Sequence, residues 1–243
     1  MFDLKGKRAL VTGSTQGIGL DIAALLAHQG AEVFIHGATS MEKCLAATSG
    51  IPGAHAVCVD LTEHDAADRL YDATGDVDIL VLCASVQYKK EWDAYTEEEY
   101  DIQFDCNVKA SYFLMKKYSE GMKKNGWGRI IAVGSVNQYN QHPALSLYGA
   151  TKVAQNKLVQ NIAPALAPYG ITVNNIAPGA IETPRNAGAL ADEDFRHRVE
   201  SQIPAGRIGT TADVSPAVLL LASDEGAYIT GADIVIDGGM HLR

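Results

Sequence analysis

The chain has 243 residues, of which 47% are hydrophobic and 20% charged, and a net charge of −9. This is the composition of a globular protein with a sizeable core. The acidic balance argues against a nucleic-acid partner, which needs clustered Lys and Arg, and against an anionic membrane surface. The four cysteines, Cys44, Cys58, Cys83 and Cys106, show no Cys-x-x-Cys and no metal-like spacing with histidine, so reduced thiols and no metal are expected. Residues 1–7 lack an apolar secretory segment, and no run approaches about 18 apolar residues, so a cytoplasmic protein is expected.

In chain order, short apolar or β-branched runs at 9–12, 32–36, 56–60, 79–83, 129–133, 172–177 and 233–236 predict strands. Helical spacing fills 18–28, 97–121, 146–166 and 212–222. Pro164 inside the third of these predicts a kink or an early end. Alternation of strand and helix implies βαβ units, and hence an α/β, mostly parallel sheet covered by helices on both faces. Seven strands fit one sheet, and no linker or repeat divides the chain, so 1–243 is read as one doubly wound domain. Its ligand is expected at the carboxyl ends of the strands, where the strand order reverses.

The first strand leads directly into Thr12-Gly13-Ser14-Thr15-Gln16-Gly17-Ile18-Gly19, which also opens the first helix. Gly13 permits a tight turn, Gly17 lets backbone approach a pyrophosphate, and Gly19 lets helix and strand pack closely. Backbone N–H groups and the positive helix end would hold the anion. The plainer reading is a tight βα turn. No Gly-Lys-Ser/Thr follows, so this is not a P-loop, and the three-residue gap between Gly13 and Gly17 differs from the commonest dinucleotide fingerprint.

Tyr148 and Lys152 stand one helical turn apart, so the phenol and the ammonium share a face. A phenol with a pKa near 10 is a poor base at neutral pH; a neighbouring ammonium and a cationic nicotinamide would lower that value. Taken singly, such a pair reads as a packing or solvated pair. Ser135 closes the strand run 129–133 and falls on the edge where the ligand is expected. There its hydroxyl can donate to a carbonyl oxygen as charge develops, or simply cap the next turn.

With these elements assembled, the sequence resembles the short-chain dehydrogenase/reductase family over essentially its whole length. The matching residues are Thr12-Gly-x-x-x-Gly-x-Gly19, Asp60, Asn107, Ser135, Tyr148-x-x-x-Lys152, Pro178-Gly179 and the closing segment from Leu221 to Gly239. The resemblance implies a Rossmann-like fold and an NAD(P)(H)-dependent interconversion of a secondary alcohol and a ketone. It gives Tyr148 the acid/base role and has Lys152 bind the nicotinamide ribose. Ser135 would orient the reacting oxygen, and Asn107 would hold a water beside Lys152, although a helix-interior amide bonding locally is the alternative. Asp60 and Leu61 would contact adenine, while Pro178, Gly179, Ile181 and Thr183 would cover the nicotinamide. The family commonly forms tetramers, and the apolar stretch 111–115 permits a homo-oligomer, tetramer or dimer.

One departure stands out. The fourth strand ends Leu82-Cys83-Ala84-Ser85 where the family usually has Asn-Asn-Ala-Gly, which removes amides that brace this edge. Cys83, Ala84 and Ser85 remain expected cofactor contacts. The second strand ends His36-Gly37-Ala38-Thr39-Ser40 with no carboxylate to accept from a ribose 2′-OH. A 2′-phosphate would meet no repulsion there, so NADP(H) is favoured over NAD(H), with His36 and Thr39 as candidate contacts.

Substrate contacts are expected from Asn137, within a loop 136–142 rich in amides and aromatic groups, from Gln87 beyond the fourth strand and from Arg185. Such groups suit a hydroxylated small molecule. Residues 181–204, with Glu182, Arg185, Asn186, Arg196, His197 and Arg198, form the expected lid. Three functions are weighed: a sugar, polyol or hydroxy-acid dehydrogenase/reductase; a 3-oxoacyl-thioester reductase, with Arg129 docking an acidic carrier protein; and a non-catalytic dinucleotide-sensing protein, against which the intact Asn107, Ser135, Tyr148 and Lys152 argue.

Overall fold

Seven short segments share one sheet, the inner strands burying both faces and the two edge strands only partly buried. In the computed structural model, which describes residues 1–243, the strands are β1 (Arg8–Val11), β2 (Glu32–Gly37), β3 (Ala54–Cys58), β4 (Ile79–Leu82), β5 (Gly128–Val133), β6 (Ile171–Pro178) and β7 (Asp233–Ile236). Their order is β3-β2-β1-β4-β5-β6-β7, and every neighbouring pair is parallel. The chain runs outward from β1 to β3, then returns to place β4 on the other side of β1. That reversal puts the carboxyl ends of β1 and β4 beside each other, with Val11 opposite Val81.

The period of two along each strand divides the core. Val11, Val33, Ile79, Val81 and Ile131 pack on one face against α1 (Gly17–His28) and α9 (Thr211–Ala222). Leu10, Leu80, Leu82, Ile130 and Val173 face the other way, toward α3 (Ala66–Thr74), α5 (Ala110–Asn125) and α6 (Ser146–Leu166). Truncating one of these fully buried leucines to alanine costs about 2–5 kcal/mol, so the strand ends that carry the site rest on a stiff base. α2 (Met41–Thr48) follows β2 and is capped by Ser40, whose hydroxyl accepts from the Lys43 N–H at 3.2 Å.

The helical pattern at 97–121 is two helices. α4 (Glu97–Phe104) starts at a Thr96/Glu99 capping box, a π turn spans Asp105–Lys109, and α5 continues to Asn125. Pro164 does not end α6, which runs on to Leu166 and into a short 3-10 turn. The proline lies in the last turn, where little of the helical ladder remains to be lost.

Between β6 and α9 the chain leaves the sheet and returns through a clip. Gly209 N–H donates to Ala180 O at 2.9 Å, and Glu182 N–H to Gly209 O at 2.8 Å. The enclosed segment carries α7 (Ala187–Leu190) and α8 (Glu193–Ser201), packed on a small cluster of Leu190, Ile203 and Ile208. No helix is long and apolar enough to cross a membrane.

Candidate active site

The carboxyl edge of the sheet opens into a cleft of about 1100 Å³ that runs from the end of β2, past β1, β4 and β5, to α8. The glycine turn forms its floor. A Cβ on Gly13 would come within 2.6 Å of Ala84 Cα, and one on Gly19 within 2.5 Å of Gly13 O, so both positions require glycine for close packing. Gln16, at the N-cap of α1, makes no side-chain cap bond, and no acidic residue occupies the first turn. The helix therefore presents unsatisfied N–H groups and its positive end to the cleft, which suits the pyrophosphate of a dinucleotide. Thr15, Gln16, Gly17, Ile18, Gly37, Ala38, Asp60, Leu61, Cys83, Ala84, Ser85, Pro178, Gly179, Ile181 and Thr183 line the cleft as expected.

Of the other expected cofactor contacts, Ser14 and Thr39 lie outside the cleft lining, and His36 lines it with its ring buried. Ser14 is wholly buried and does not line the cleft; its hydroxyl donates to Val11 O at 2.6 Å and accepts from His36 N–H at 2.9 Å. His36 lines the cleft but is only 1% exposed. Its Nδ1 accepts from Gly13 N–H at 3.1 Å, which places the ring proton on Nε2, 2.8 Å from Val59 O. Burial pushes its pKa below the ordinary histidine value, and with both nitrogens engaged it braces the turn from below. Thr39 is exposed and lies outside the cleft lining.

The missing amides at the end of β4 have substitutes. Thr12 Oγ1 accepts from the N–H groups of Cys83 and Ala84 at 3.0 and 3.1 Å. Asn107, set in the π turn, pairs with the backbone of Val86: its Oδ1 accepts from Val86 N–H at 2.8 Å, and its Nδ2 donates to Val86 O at 2.9 Å. Nδ2 also reaches Thr151 Oγ1 at 3.0 Å. The Asn107 side chain thus braces this loop through partners distant in sequence and does not itself line the cleft.

Tyr148, Lys152 and Ser135 converge at the cleft floor. Burial pushes the Tyr148 phenol above its ordinary pKa, while the Arg185 guanidinium and the hydroxyls of Ser135 and Ser85 pull it back. The Lys152 ammonium stands 5.7 Å from the centre of the Tyr148 ring, and its Nζ donates to Val133 O at 2.8 Å and to Gln155 Oε1 at 3.0 Å. Burial, with the Arg185 charge adding to it, brings Lys152 down to about 8. Gln155 Nε2 donates to Ser111 Oγ at 2.8 Å, and that hydroxyl donates to Asn107 O at 2.9 Å. Sequence reasoning missed Gln155; its spacing of three from Lys152, on the same helical face, was the available signal.

Arg185 reaches across the cleft, donating to Ser85 Oγ at 3.1 Å and Ser85 O at 2.9 Å. Gln87 and Asn137 also line it, and Asn137 donates to Ser135 Oγ from both its backbone N–H and Nδ2 at 3.2 Å. Arg129 is not a surface docking residue. It is 2% exposed and donates to the carbonyls of Ser223, Gly128 and Gly170.

A parallel sheet with a glycine turn at its switch point and a buried Tyr–Lys pair across the cleft defines a class: dinucleotide-dependent oxidoreductases. A family model described as enoyl-(acyl carrier protein) reductase matches residues 13–241. A 3-oxoacyl-(acyl-carrier-protein) reductase of Haemophilus influenzae is 36% identical over 98% of this chain and 100% of its own. Gluconate 5-dehydrogenase of Gluconobacter oxydans is 31% identical over 99% of this chain and 96% of its own. The structure of a gluconate 5-dehydrogenase from Burkholderia cenocepacia, in complex with NADP and tartrate, superposes with a TM-score of 0.91 at 31% identity, covering 100% of this chain and 98% of that one. The chain belongs to the short-chain dehydrogenase/reductase family and is an NAD(P)-dependent oxidoreductase acting on CH–OH groups.

Proposed function

We propose that this chain interconverts a secondary alcohol and a ketone on a polyhydroxylated small molecule, a sugar, polyol or hydroxy-acid, with NADP(H) favoured over NAD(H). The observation that carries the substrate reading is the polar wall beyond β5, where Asn137, Asn140, Gln141 and His142 line the cleft opposite Gln87. Amides and imidazole placed to bond hydroxyls discriminate against compounds that lack them. A thioester reductase is less well supported, because Arg129, the candidate for docking a carrier protein, is buried under Ser223.

In the reducing direction Tyr148 gives its phenolic proton to the carbonyl oxygen, and in the oxidising direction it takes the alcohol proton. Ser135, steadied by Asn137, donates to the same oxygen as charge builds there. When bound, the nicotinamide supplies or accepts the hydride. Lys152, held from behind by Val133 and Gln155, binds the ribose and offers positive charge beside the phenol. The cofactor preference rests on the end of β2, where Ala38 lines the cleft and residues 36–40 carry no carboxylate to oppose a 2′-phosphate. Residues 181–204 serve as the lid of one domain spanning 1–243, hinged at the clip between Ile181 and Gly209. A cytoplasmic setting and a homo-oligomer, tetramer or dimer, complete the reading, with exposed Tyr112 and Phe113 on α5 as apolar contact surface.

A panel of aldoses, ketoses, polyols, sugar acids and acetoacetyl thioesters, run with both cofactors, tests this. Turnover should appear among the hydroxylated compounds and fall at least about 100-fold in Tyr148→Phe, with NADPH binding, followed by fluorescence, retained. Reduction of the thioester alone would overturn the substrate reading; undiminished turnover in Tyr148→Phe would overturn the mechanism.

A further inference from the structure

The substrate end of the cleft has an unusual charge for so acidic a chain. Lys89, Arg185 and Arg198 line it, and no Asp or Glu does. The cleft's one carboxylate, Asp60, stands at the far adenosine end, where Thr62 bonds it through N–H and hydroxyl at 2.9 and 2.8 Å. A net charge of −9 would ordinarily supply neighbouring carboxylates to each of these cations.

Outside the cleft, Arg8, Arg69, Arg129, Arg196 and Arg207 each form an ion pair with Asp or Glu, and Arg243 alone among the arginines there does not. Arg185 and Arg198, the two arginines on the cleft wall, form none. Lys89 is likewise unpaired, and it and Arg198 gather around the Phe195 ring instead, with Nζ and Cζ at 6.0 and 5.8 Å from its centroid. An aromatic face attracts cations without neutralising them. The positive charge at this end is therefore left uncompensated by the protein.

Arg185 is also held in place. Its two terminal nitrogens each donate to Ser85, which stands where the family resemblance leads one to expect glycine; a glycine would keep the backbone carbonyl but lose the hydroxyl acceptor. A guanidinium has five N–H donors in a planar fork, and the two bonds to Ser85 leave the remaining donors free. Such a fork matches a carboxylate bidentately. Ser85, Arg185 and Tyr148 line the same cleft, and the Arg185 charge acts on the Tyr148 phenol.

We propose that the substrate is a hydroxy-acid whose carboxylate is bound by Arg185, a few carbons from the alcohol or ketone presented to Tyr148, with Lys89 and Arg198 adding positive charge at the cleft mouth. This deepens the reading above and rests on it. Ser85 is then a positioning residue, fixing the guanidinium, and Arg185 a substrate-binding one.

The test compares gluconate with sorbitol and glucose, which share its chain length and hydroxyls but lack the carboxylate. The wild-type enzyme should favour the acid by kcat/KM, and Arg185→Gln should lower the acid-to-polyol ratio at least about thirty-fold, the usual scale for losing a charge-paired contact. Arg185→Lys should fall between, and Ser85→Gly should lower the ratio less than Arg185→Gln. Equilibrium binding of gluconate to NADP⁺-saturated Tyr148→Phe protein, with and without Arg185→Gln, gives the same comparison without turnover. Equal use of acid and polyol would overturn the carboxylate inference and leave the polyhydroxyl reading standing. An acid preference unmoved by Arg185→Gln would overturn the assignment to Arg185. Reduction of acetoacetyl thioester with no activity on any hydroxylated compound would overturn both.

Discussion

Lys152 and Gln155 are joined by a hydrogen bond of 3.0 Å inside α6, the ammonium donating and the amide oxygen accepting. The bond ties the Lys152 ammonium to an otherwise neutral network that ends at Ser111 and the Asn107 carbonyl. Gln155 is wholly buried and does not line the cleft; it works through Lys152 by favouring the charged form. Burial already holds Lys152 at about 8, close to working pH, so small changes in its surroundings alter how much of it is charged.

Gln155→Leu removes the acceptor and leaves the ammonium only Val133 O. A hydrogen bond to a charged group contributes about 1.5–3 kcal/mol. The ammonium should therefore be lost at lower pH, and the alkaline limb of the kcat/KM profile should move down by about one pH unit. Gln155→Glu keeps the oxygen and adds charge, so its limb should move up. A residue that merely fills space would lower activity in both variants without moving either limb.

His36 makes the stability of the glycine turn depend on pH. Its folded pKa lies below the ordinary 6.5, so the unfolded chain takes up the proton first as the solution is acidified. The stability it contributes is complete above about 6.5 and is lost as pH falls from there toward the folded pKa. Protonation would put a second N–H against the Gly13 N–H that Nδ1 now accepts. Melting temperatures from pH 8 to 5 should fall more steeply in the wild type than in His36→Leu. The variant should start about 1–3 kcal/mol less stable, because Gly13 N–H and Val59 O lose their partner. Parallel slopes would show that other groups set the acid limb.

Much of this was legible in the sequence because periodicity reports burial. All seven strands fall within a few residues of the apolar runs, and the glycines, Ser135, Tyr148 and Lys152 reach one cleft because each sits at a strand end or the first turns of a helix. What escaped was decided by contacts distant in sequence. The run at 97–121 keeps helical spacing through Asp105–Lys109, and nothing in spacing reveals a π turn whose purpose is to aim Asn107 at Val86. From sequence His36 is a candidate 2′-phosphate contact, yet β3 and the loop to Asp60 close over its ring. The small helices α2, α3, α7 and α8 are too short or too polar for a periodic stripe to stand out.

Ala38 offers a direct check on cofactor preference. It is exposed at the end of β2 and lines the cleft, where a side chain would meet the 2′ position of an adenosine ribose. Ala38→Asp should lower kcat/KM for NADP(H) by at least about tenfold through repulsion, while that for NAD(H) rises. Ala38→Arg should move the ratio the other way. A ratio unchanged in both variants would place the 2′ group elsewhere.

Arg129 separates structural from docking roles. Its guanidinium donates to the carbonyls of Ser223, Gly128 and Gly170 at 3.1, 2.9 and 3.3 Å, and reaches Asp224 at the surface. Burial lowers its pKa, the cost of holding a charge away from water. Arg129→Met keeps the length and removes that burden, but strands carbonyls that water reaches poorly. The net loss should be about 2 kcal/mol, which for a chain of this size lowers the melting temperature by roughly 4–8 °C. KM for a carrier-bound thioester, should any be used, ought to stay within about twofold, since a guanidinium pointing at Ser223 O cannot steer a partner at the surface. An unchanged melting temperature with a sharply raised carrier-thioester KM would reverse that assignment and restore the thioester reading.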